Sequence, residues 1–365
     1  METKLKAKRF YQLHLFLGIF GSSFLLVIGI TGSLLVYGKE IQSFLTPIQI
    51  PNHTHRLSFD VLYQRLVPQL PEGSIAGWLV SDLSNQPDQI WFHDTNIPSN
   101  EVVYLLDPYS GKIIGSLNEN RSDSVYGFIL VLHYSLFFGK IGYFLTGCFA
   151  IVYFLLVITG IKLYKRFWIS LFRFRWKESI QILFSDLHKF VGINFIWFHL
   201  ILSVTGAWWS IRDTIIRTES EEKIVHGLWT DSKSIESLIE NTKTKIHGFN
   251  LGYISFPHHS KDEPIGLYGN RNNSNGFESR YGSYVLFDTN TNQLLKLVDI
   301  SRESIQNQFL DSFRPLHFGT FANHFSKVIW ILCGLSPAVL SVSGIMIFYQ
   351  KRKNKRKVLK QKTQS

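Results

Sequence analysis

Hydrophobic positions along the chain gather into four long segments that are separated by polar stretches. Each segment holds enough apolar residues to cross a lipid bilayer, for which a helix needs about 20. The segments are residues 13–37, 141–164, 187–211 and 328–349. The pattern therefore predicts four transmembrane helices.

Two hydrophilic segments, residues 38–125 and 212–312, separate the first helix from the second and the third from the fourth. Each opens with an amphipathic helical pattern and continues with short alternating runs that are typical of β-strands. Each closes with a hairpin signal, in which Asp107 and Asp288 occupy matching places before the turn. We expect a small α+β domain in each segment.

Charge predicts how the helices are oriented. Lys and Arg cluster before the first predicted helix, after the second and after the fourth, whereas the two hydrophilic segments lack comparable runs. Because cytoplasmic flanks carry the excess of basic residues, we expect both termini in the cytoplasm and both α+β domains outside it. The net charge of +11 follows from this topology and from contact with anionic lipid, so it requires no nucleic acid.

Composition agrees with a chain that lies partly in lipid and partly in water, since 45% of its residues are hydrophobic while mean hydropathy is only +0.05. The fold class is thus a membrane α-helical protein with two small extracytoplasmic α+β domains. The predicted parts are the N-terminus and first helix (1–37), the first outer domain (38–125), the second helix with its lead-in (126–165), a cytoplasmic loop and the third helix (166–211), the second outer domain (212–312), and the fourth helix with a basic tail (313–365).

An internal repeat relates the two halves of the chain. Because each half crosses the membrane twice, both halves keep one orientation, which implies a pseudo-two-fold axis along the membrane normal. The interval from His14 to Thr31-Gly32 equals that from His188 to Thr205-Gly206, and the interval from His133 to Gly160 equals that from His317 to Gly344.

This axis sorts four histidines into two pairs. His14 and His188 become mates at the cytoplasmic side, and His133 and His317 become mates at the outer side. Two imidazoles that face each other across such an axis suit a flat metal macrocycle, and a haem iron with two axial histidines is the obvious occupant. Histidine at membrane depth is costly and usually functional. The alternative is that a duplication copied structural histidines together with their helices.

A fifth histidine, His199, follows His188 by eleven residues on the third predicted helix. In an unbroken helix this interval returns to within about 20° of the same direction and climbs roughly 16 Å, so both rings would share one stripe. His199 has no mate, because Leu25 occupies the equivalent place in the first half. It either bonds a backbone carbonyl of a neighbouring helix or helps to hold the outer haem.

The distance between the two pairs raises a related question. If the helices ran straight inwards from His133 and His317, the long interval to the matching glycines would separate the two pairs by about 40 Å, which is long for electron transfer. Either the chain bends near Gly139 to Gly142, or His199 helps to hold the outer haem.

The motifs resemble those of the PepSY-associated transmembrane proteins. They read "LHLFLGIFGSSFLLVIGITGSLLVY", "LHYSLFFGKIG", "DLHKFVGI" and "RPLHFGTF", interleaved with "YLLDPYSGKIIG", and extend from about residue 9 to 352. The resemblance implies a four-helix protein of the bacterial inner membrane with two PepSY-like domains outside. Members of the family include haem-containing reductases of ferric siderophores, similar to the ferrioxamine reductases. By this resemblance, axial ligation of haem b falls on His14, His188, His133 and His317.

Several other chemistries lack a sequence signal. Cys148 and Cys333 fall inside predicted helices, so the outer domains hold no disulfide or cysteine-based metal site. No Gly-x-Gly-x-x-Gly follows a strand, hence electrons must come from another protein or from a membrane quinol. No Ser-His-Asp or His-Glu-x-x-His signature supports hydrolysis.

Two functions follow from these observations. In the first, the protein is an oxidoreductase that carries electrons across the membrane and reduces a periplasmic ferric chelate. In the second, it is a non-catalytic scaffold whose outer domains bind another extracytoplasmic protein. Outer-domain histidines are further candidates for contact with iron, although exposed histidines are mostly solvated; they are His53, His55, His258 and His259.

Overall fold

The structure is a computed structural model of the chain. It describes residues 2–45, 50, 55–94, 101–117, 124–164, 174–219, 233–258, 260, 262–272 and 275–364. The chain forms two compact units. The helical unit consists of Met1–Tyr37, Ile129–Thr218 and Leu316–Ser365, and the sheet unit consists of Gly38–Phe128 and Glu219–Pro315.

The described residues form twelve α-helices and eight strands. The helices are α1 (Glu2–Leu35), α2 (Gly38–Leu45), α3 (Phe59–Leu66), α4 (Val125–Ser135), α5 (Gly139–Leu163), α6 (Ile180–Asn194), α7 (Ile196–Glu219), α8 (Ile235–Lys245), α9 (Ile305–Asp311), α10 (Phe313–Phe318), α11 (Asn323–Gly334) and α12 (Ser336–Gln364). The strands are β1 (Gly73–Leu79), β2 (Asp88–Asp94), β3 (Glu101–Leu106), β4 (Ile113–Leu117), β5 (Phe249–Ser255), β6 (Ile265–Arg271), β7 (Ser283–Phe287) and β8 (Leu294–Val298).

The helical unit contains the predicted membrane spans. Among the described residues, three stretches are long and apolar enough to cross a membrane: Leu5–Leu35, Gly139–Leu163 and Asn323–Arg356. A further apolar stretch, α6 followed by α7, is bent by 68° between its two helices. By length and composition, this part of the chain therefore has three candidate spans, or four if the bent pair counts as one.

The break between α6 and α7 corrects one prediction. His188 and His199 do not share a stripe of a single helix, because α6 ends at Asn194 before His199 is reached. The amide of Asn194 donates to the carbonyl of Phe190 at 2.8 Å, and such a side-chain bond competes with the helical ladder. Periodicity alone did not reveal this local competition.

A second break lies between α4 and α5. Leu136, Phe137 and Gly139 all have positive φ, at 51°, 64° and 52°, so the chain reverses there. The hydroxyl of Thr146 in α5 donates to the carbonyl of Tyr134 in α4 at 3.0 Å, which shows that the end of α4 contacts α5. The predicted bend near Gly139 to Gly142 is confirmed, and the straight helix with its long separation of the two pairs is excluded.

The sheet unit is one antiparallel sheet in the order β4-β3-β2-β1-β5-β6-β7-β8. The hairpins β3–β4 and β7–β8 are confirmed, and Asp107 and Asp288 accept backbone N–H groups of Tyr109 and Asn290, each at 2.9 Å. The two amphipathic patterns form α3 and α8.

The two hydrophilic segments do not form separate sheets. β1 pairs with β5, placing Trp78 opposite Ile254, and a single hydrophobic core contains buried residues of both segments. The helix ends are also joined: Asp60 of α3 accepts the backbone N–H of Ile235 at 2.6 Å, while Glu236 of α8 accepts that of Phe59 at 3.0 Å. An isolated four-stranded half would expose the β1 or β5 edge, and the pairing covers both edges.

Candidate functional site: two histidine pairs in the helical unit

The structure brings the four repeated histidines together in two pairs. The ring centroids of His14 and His188 lie 6.3 Å apart, with the ring planes at 90°. Those of His133 and His317 lie 6.5 Å apart, with the planes at 59°. All four side chains are half-buried, so part of each ring is accessible.

This spacing is compatible with one metal ion between the rings of each pair. Imidazole nitrogens bind metal ions such as zinc at about 2.0–2.1 Å, and the ring centroid lies roughly 1.1 Å beyond the nitrogen. Two rings that bind one ion from opposite sides therefore have centroids about 6.3 Å apart. Two imidazoles in direct packing contact do not require this distance.

The pairs lie at different depths along the helical unit. α1 carries His14 and also Thr31, which contacts His133. The stretch of helix between these two residues corresponds to about 26 Å of rise. The reversal between α4 and α5 thus brings the two pairs closer together than a straight helix would.

Every one of the four rings is held by a hydroxyl on a neighbouring helix. In each case the ring nitrogen is Nδ1 and the hydroxyl belongs to Thr or Ser. The bonds are His14 to Thr159 at 2.8 Å, His188 to Ser343 at 2.9 Å, His133 to Thr31 at 2.9 Å and His317 to Thr205 at 2.8 Å.

These hydroxyls favour one tautomer of the rings. A hydroxyl has one proton, and each of these is placed to donate it to the backbone carbonyl four residues earlier in its own helix. In that arrangement Nδ1 donates to the hydroxyl oxygen, and Nε2 keeps a lone pair with which it can bind a metal ion. The carbonyl bonds are Thr31 to Val27 at 2.8 Å, Thr159 to Leu155 at 2.8 Å, Thr205 to Ile201 at 2.7 Å and Ser343 to Val339 at 2.7 Å.

A glycine follows each hydroxyl residue and gives the ring its space. A Cβ at Gly32 would lie 2.9 Å from Cε1 of His133, closer than carbon atoms normally approach. The other three glycines have Cε1 of their histidine as nearest neighbour within 3.4–3.6 Å; they are Gly160 beside His14, Gly206 beside His317 and Gly344 beside His188.

The hydroxyl residues are the part of the site that sequence reasoning missed. The repeat intervals related each histidine to a Gly on its own stretch of chain and indicated no hydrogen-bond partner on another helix. In the structure the partner of His14 is Thr159 of α5, not Thr31. The available signal was a Thr or Ser before Gly in all four spans.

The donor set fits a macrocycle better than a free ion. Among the described residues, no group of three or more His, Cys, Asp or Glu side chains converges to hold a metal ion. Two imidazoles are an incomplete set for a bare transition metal but supply both axial ligands of a haem iron, whose equatorial nitrogens belong to the macrocycle. The residues present therefore fit haem.

His199 is placed differently from the four paired histidines. It is buried, with 1% of its surface exposed, and its Nδ1 is hydrogen-bonded to the hydroxyl of Tyr153 in α5. Within the part of the chain that the structure describes, its Nε2 has no hydrogen-bond partner, although the carbonyl of Val191 lies nearby. The structure thus gives His199 a tyrosine partner that the sequence did not predict.

The remaining candidate histidines lie outside the two pairs. His55 is exposed, and His258 of the sheet unit is half-buried with its Nδ1 donating to the carbonyl of Phe256 at 2.7 Å. His258 also stacks on His93 with centroids 5.4 Å apart. His53 and His259 lie outside the described residues.

Comparison with protein families identifies one match. The family described as the PepSY-associated TM region matches residues 11–351. The match covers all four paired histidines and all four hydroxyl residues beside them, and it confirms the resemblance seen in the motifs. No curated protein matches the sequence.

Proposed function

We propose that this chain, which belongs to the PepSY-associated transmembrane family, is a haem-binding oxidoreductase. In this proposal it carries electrons across the bacterial inner membrane and reduces a ferric chelate of the siderophore type outside the cytoplasm. Such a reaction would serve iron uptake.

The observation that carries the proposal is the common environment of four histidines. Each has Nδ1 hydrogen-bonded to a hydroxyl and a glycine beside Cε1, an arrangement that favours the tautomer with a lone pair on Nε2. A histidine that serves only packing does not need a fixed tautomer, whereas a ligand to iron does. Repetition at four positions supports selection for that tautomer.

The chain's own residues would perform three tasks. The pairs His14–His188 and His133–His317 would each hold one haem b by its iron, so two haems are proposed. Thr159, Ser343, Thr31 and Thr205 would orient the rings and keep the Nε2 lone pairs available. A bound haem supplies a one-electron Fe(III)/Fe(II) couple. Because the two pairs lie at different depths, two haems would provide successive steps for electrons that cross the membrane.

The direction of electron flow follows from the predicted topology. The basic runs place His14 and His188 towards the cytoplasm, so electrons would enter there from a quinol or from a cytoplasmic reductase. The substrate would be an Fe(III) complex with hard oxygen donors, because Fe(II) binds such donors more weakly and is released after reduction.

The first test is the colour of the protein. The full chain is purified in detergent from haem-replete cells, and a reduced-minus-oxidised absorption spectrum is recorded together with the haem-to-protein ratio. We expect about two haems per chain with the spectrum of low-spin bis-histidine haem. His14→Ala and His133→Ala should each lose one haem, whereas the control His55→Ala should keep both.

Activity is tested on the same preparations. Chemically reduced protein is mixed with a ferric hydroxamate, and released Fe(II) is trapped by a chromogenic chelator. Faster Fe(II) release than with the haem-depleted His14→Ala and His133→Ala variants supports the reductase. A colourless wild-type protein would overturn the proposal and leave the scaffold as the remaining function.

A further inference from the structure

The buried pair Tyr153–His199 breaks the internal symmetry of the helical unit. His199 corresponds to Leu25 in the first half, and Tyr153 corresponds to Pro337 in the second. The hydrogen bond between the phenol and Nδ1 therefore has no counterpart at the symmetry-related place. A polar pair that replaces an apolar one inside a membrane protein is costly to bury and indicates a function.

The pair lies between the two histidine pairs. Tyr153 precedes Thr159, the partner of His14, by six residues of α5, and His199 precedes Thr205, the partner of His317, by six residues of α7. Six residues correspond to about 9 Å in each helix. The two helices run antiparallel, as Gly206 lies beside Ala150 and Ser210 beside Gly147. Tyr153 and His199 thus meet about midway.

Hydrogen bonding determines which tautomer His199 adopts. Among the described residues, the hydroxyl of Tyr153 finds no acceptor other than Nδ1 of His199. If the phenol donates to Nδ1, the proton of the ring is on Nε2, and only that N–H remains unsatisfied. If Nδ1 donates instead, both the phenol proton and Nε2 are left without partners. The first arrangement is favoured because it leaves one buried polar group without a hydrogen-bond partner instead of two.

His199 therefore carries its ring proton on the opposite nitrogen from the paired histidines. Their Nδ1 atoms donate and their Nε2 atoms carry lone pairs, whereas the Nε2 of His199 presents an N–H. A nitrogen that carries its proton cannot bind iron, so this tautomer is unsuited to axial ligation. Its buried donor instead requires an acceptor, and the nearby Val191 carbonyl offers at most a weak one.

We propose that His199 is a positioning residue whose Nε2–H donates a hydrogen bond to a propionate carboxylate of a haem held by one of the two pairs. This inference rests on the proposed function. The carboxylate is the strongest acceptor that haem offers, and a bond to an ionised acceptor offsets the burial of the donor. Tyr153 fixes the ring in the donating tautomer, and the absence of a symmetry mate confines the effect to one haem.

The test uses three variants of the full-length protein and measures the midpoint potential of each haem by spectroelectrochemical titration. His199→Leu installs the residue of the matching place in the first half and removes the donor. Tyr153→Phe keeps the aromatic ring but removes the hydroxyl, so the ring proton of His199 is no longer held on Nε2. His199→Gln keeps an N–H donor and serves as the conservative control.

In His199→Leu we expect both haems to remain, with low-spin spectra, while the potential of one haem falls. A propionate that loses its donor keeps more negative charge, which favours Fe(III). A tenfold change in the reduced-to-oxidised ratio at fixed potential corresponds to a shift of about 59 mV for one electron. Tyr153→Phe should shift the same haem in the same direction, and His199→Gln should restore most of its potential.

Two results would overturn the inference while leaving the proposed function intact. Loss of one haem, or its conversion to a high-spin form, in His199→Leu would make His199 an axial ligand. Two unchanged potentials in a variant with full haem content would give His199 a purely structural role, such as a bond to Val191. A colourless wild type would instead refute the proposed function itself.

Discussion

At the scale of single residues, the site depends on where one proton resides. Thr and Ser hydroxyls in helices commonly bond the carbonyl four residues earlier, and here that ordinary bond leaves the oxygen able only to accept from Nδ1. The neighbouring glycine lets the ring approach the helix backbone. A Thr-Gly dipeptide is thus sufficient to orient an imidazole that projects from another helix.

Replacement of the hydroxyl tests this role. Thr159→Val keeps the shape of the side chain but removes the acceptor for Nδ1 of His14. We expect haem at the His14–His188 pair to bind about 10–100-fold more weakly, as is typical when the partner of a ligating histidine is lost. The measurement is the rate of haem transfer to excess apomyoglobin.

Thr159→Ser is the matched control for this experiment. Ser343 performs the same task in the second half, so serine should retain near wild-type haem affinity. Equal haem loss from the Val and Ser variants would show that the hydroxyl does not orient His14.

At the scale of helices, reversals and breaks position the rings. The chain reverses between α4 and α5 through residues with positive φ, which cost about 1–2 kcal/mol for residues other than glycine such as Leu136 and Phe137. The contact that holds the reversal is close: a Cβ at Gly142 would lie 1.7 Å from the carbonyl oxygen of Ser135. The backbones of α4 and α5 are in direct contact there, and this contact fixes the position of His133 along the helical unit.

Gly142→Ala should therefore move α4 away from α5. We expect a loss of about 1–3 kcal/mol in stability, as for other overpacked sites. The haem at the His133–His317 pair should be lost preferentially, because His133 lies two residues before the contacting Ser135. Thermal denaturation and the haem-to-protein ratio measure both effects.

Gly18→Ala is the control, because its Cβ would lie 3.8 Å from Leu156, an ordinary contact distance. If Gly142→Ala melts and binds haem like Gly18→Ala, the α4–α5 contact does not position His133.

At the scale of the whole molecule, the two hydrophilic segments act as one folding unit. The sheet is continuous across β1 and β5, and Phe256 of the second segment packs on Tyr63 of the first with ring centroids 6.0 Å apart. Asp60 and Glu236 cap each other's helices across the same boundary. Neither segment completes its core alone.

A single core substitution should therefore loosen both segments. Phe256 is 1% exposed, so Phe256→Ala should cost about 3–5 kcal/mol. Hydrogen–deuterium exchange should accelerate in β2 and β3 of the first segment as much as in β6 and β7 of the second. Phe309→Ala, at a side chain that is 60% exposed, is the control and should change neither. Faster exchange confined to β6 and β7 would mean two independent domains.

Much of this organisation was predictable from the sequence. Hydropathy predicted the membrane segments, alternation and turn residues predicted the hairpins at Asp107 and Asp288, and the repeat predicted that His14 meets His188 and that His133 meets His317. These features depend on local composition or on symmetry between the halves, both of which are read along the chain.

Only the three-dimensional structure decided the rest. The pairing of β1 with β5 depends on contacts between distant residues. The break at Phe195 follows from a local side-chain bond that hydrophobic periodicity does not register. The tautomers of the paired histidines and of His199 depend on hydroxyls that other helices supply. Periodicity describes one helix at a time, and a proton's position is determined by the acceptor that folding brings next to it.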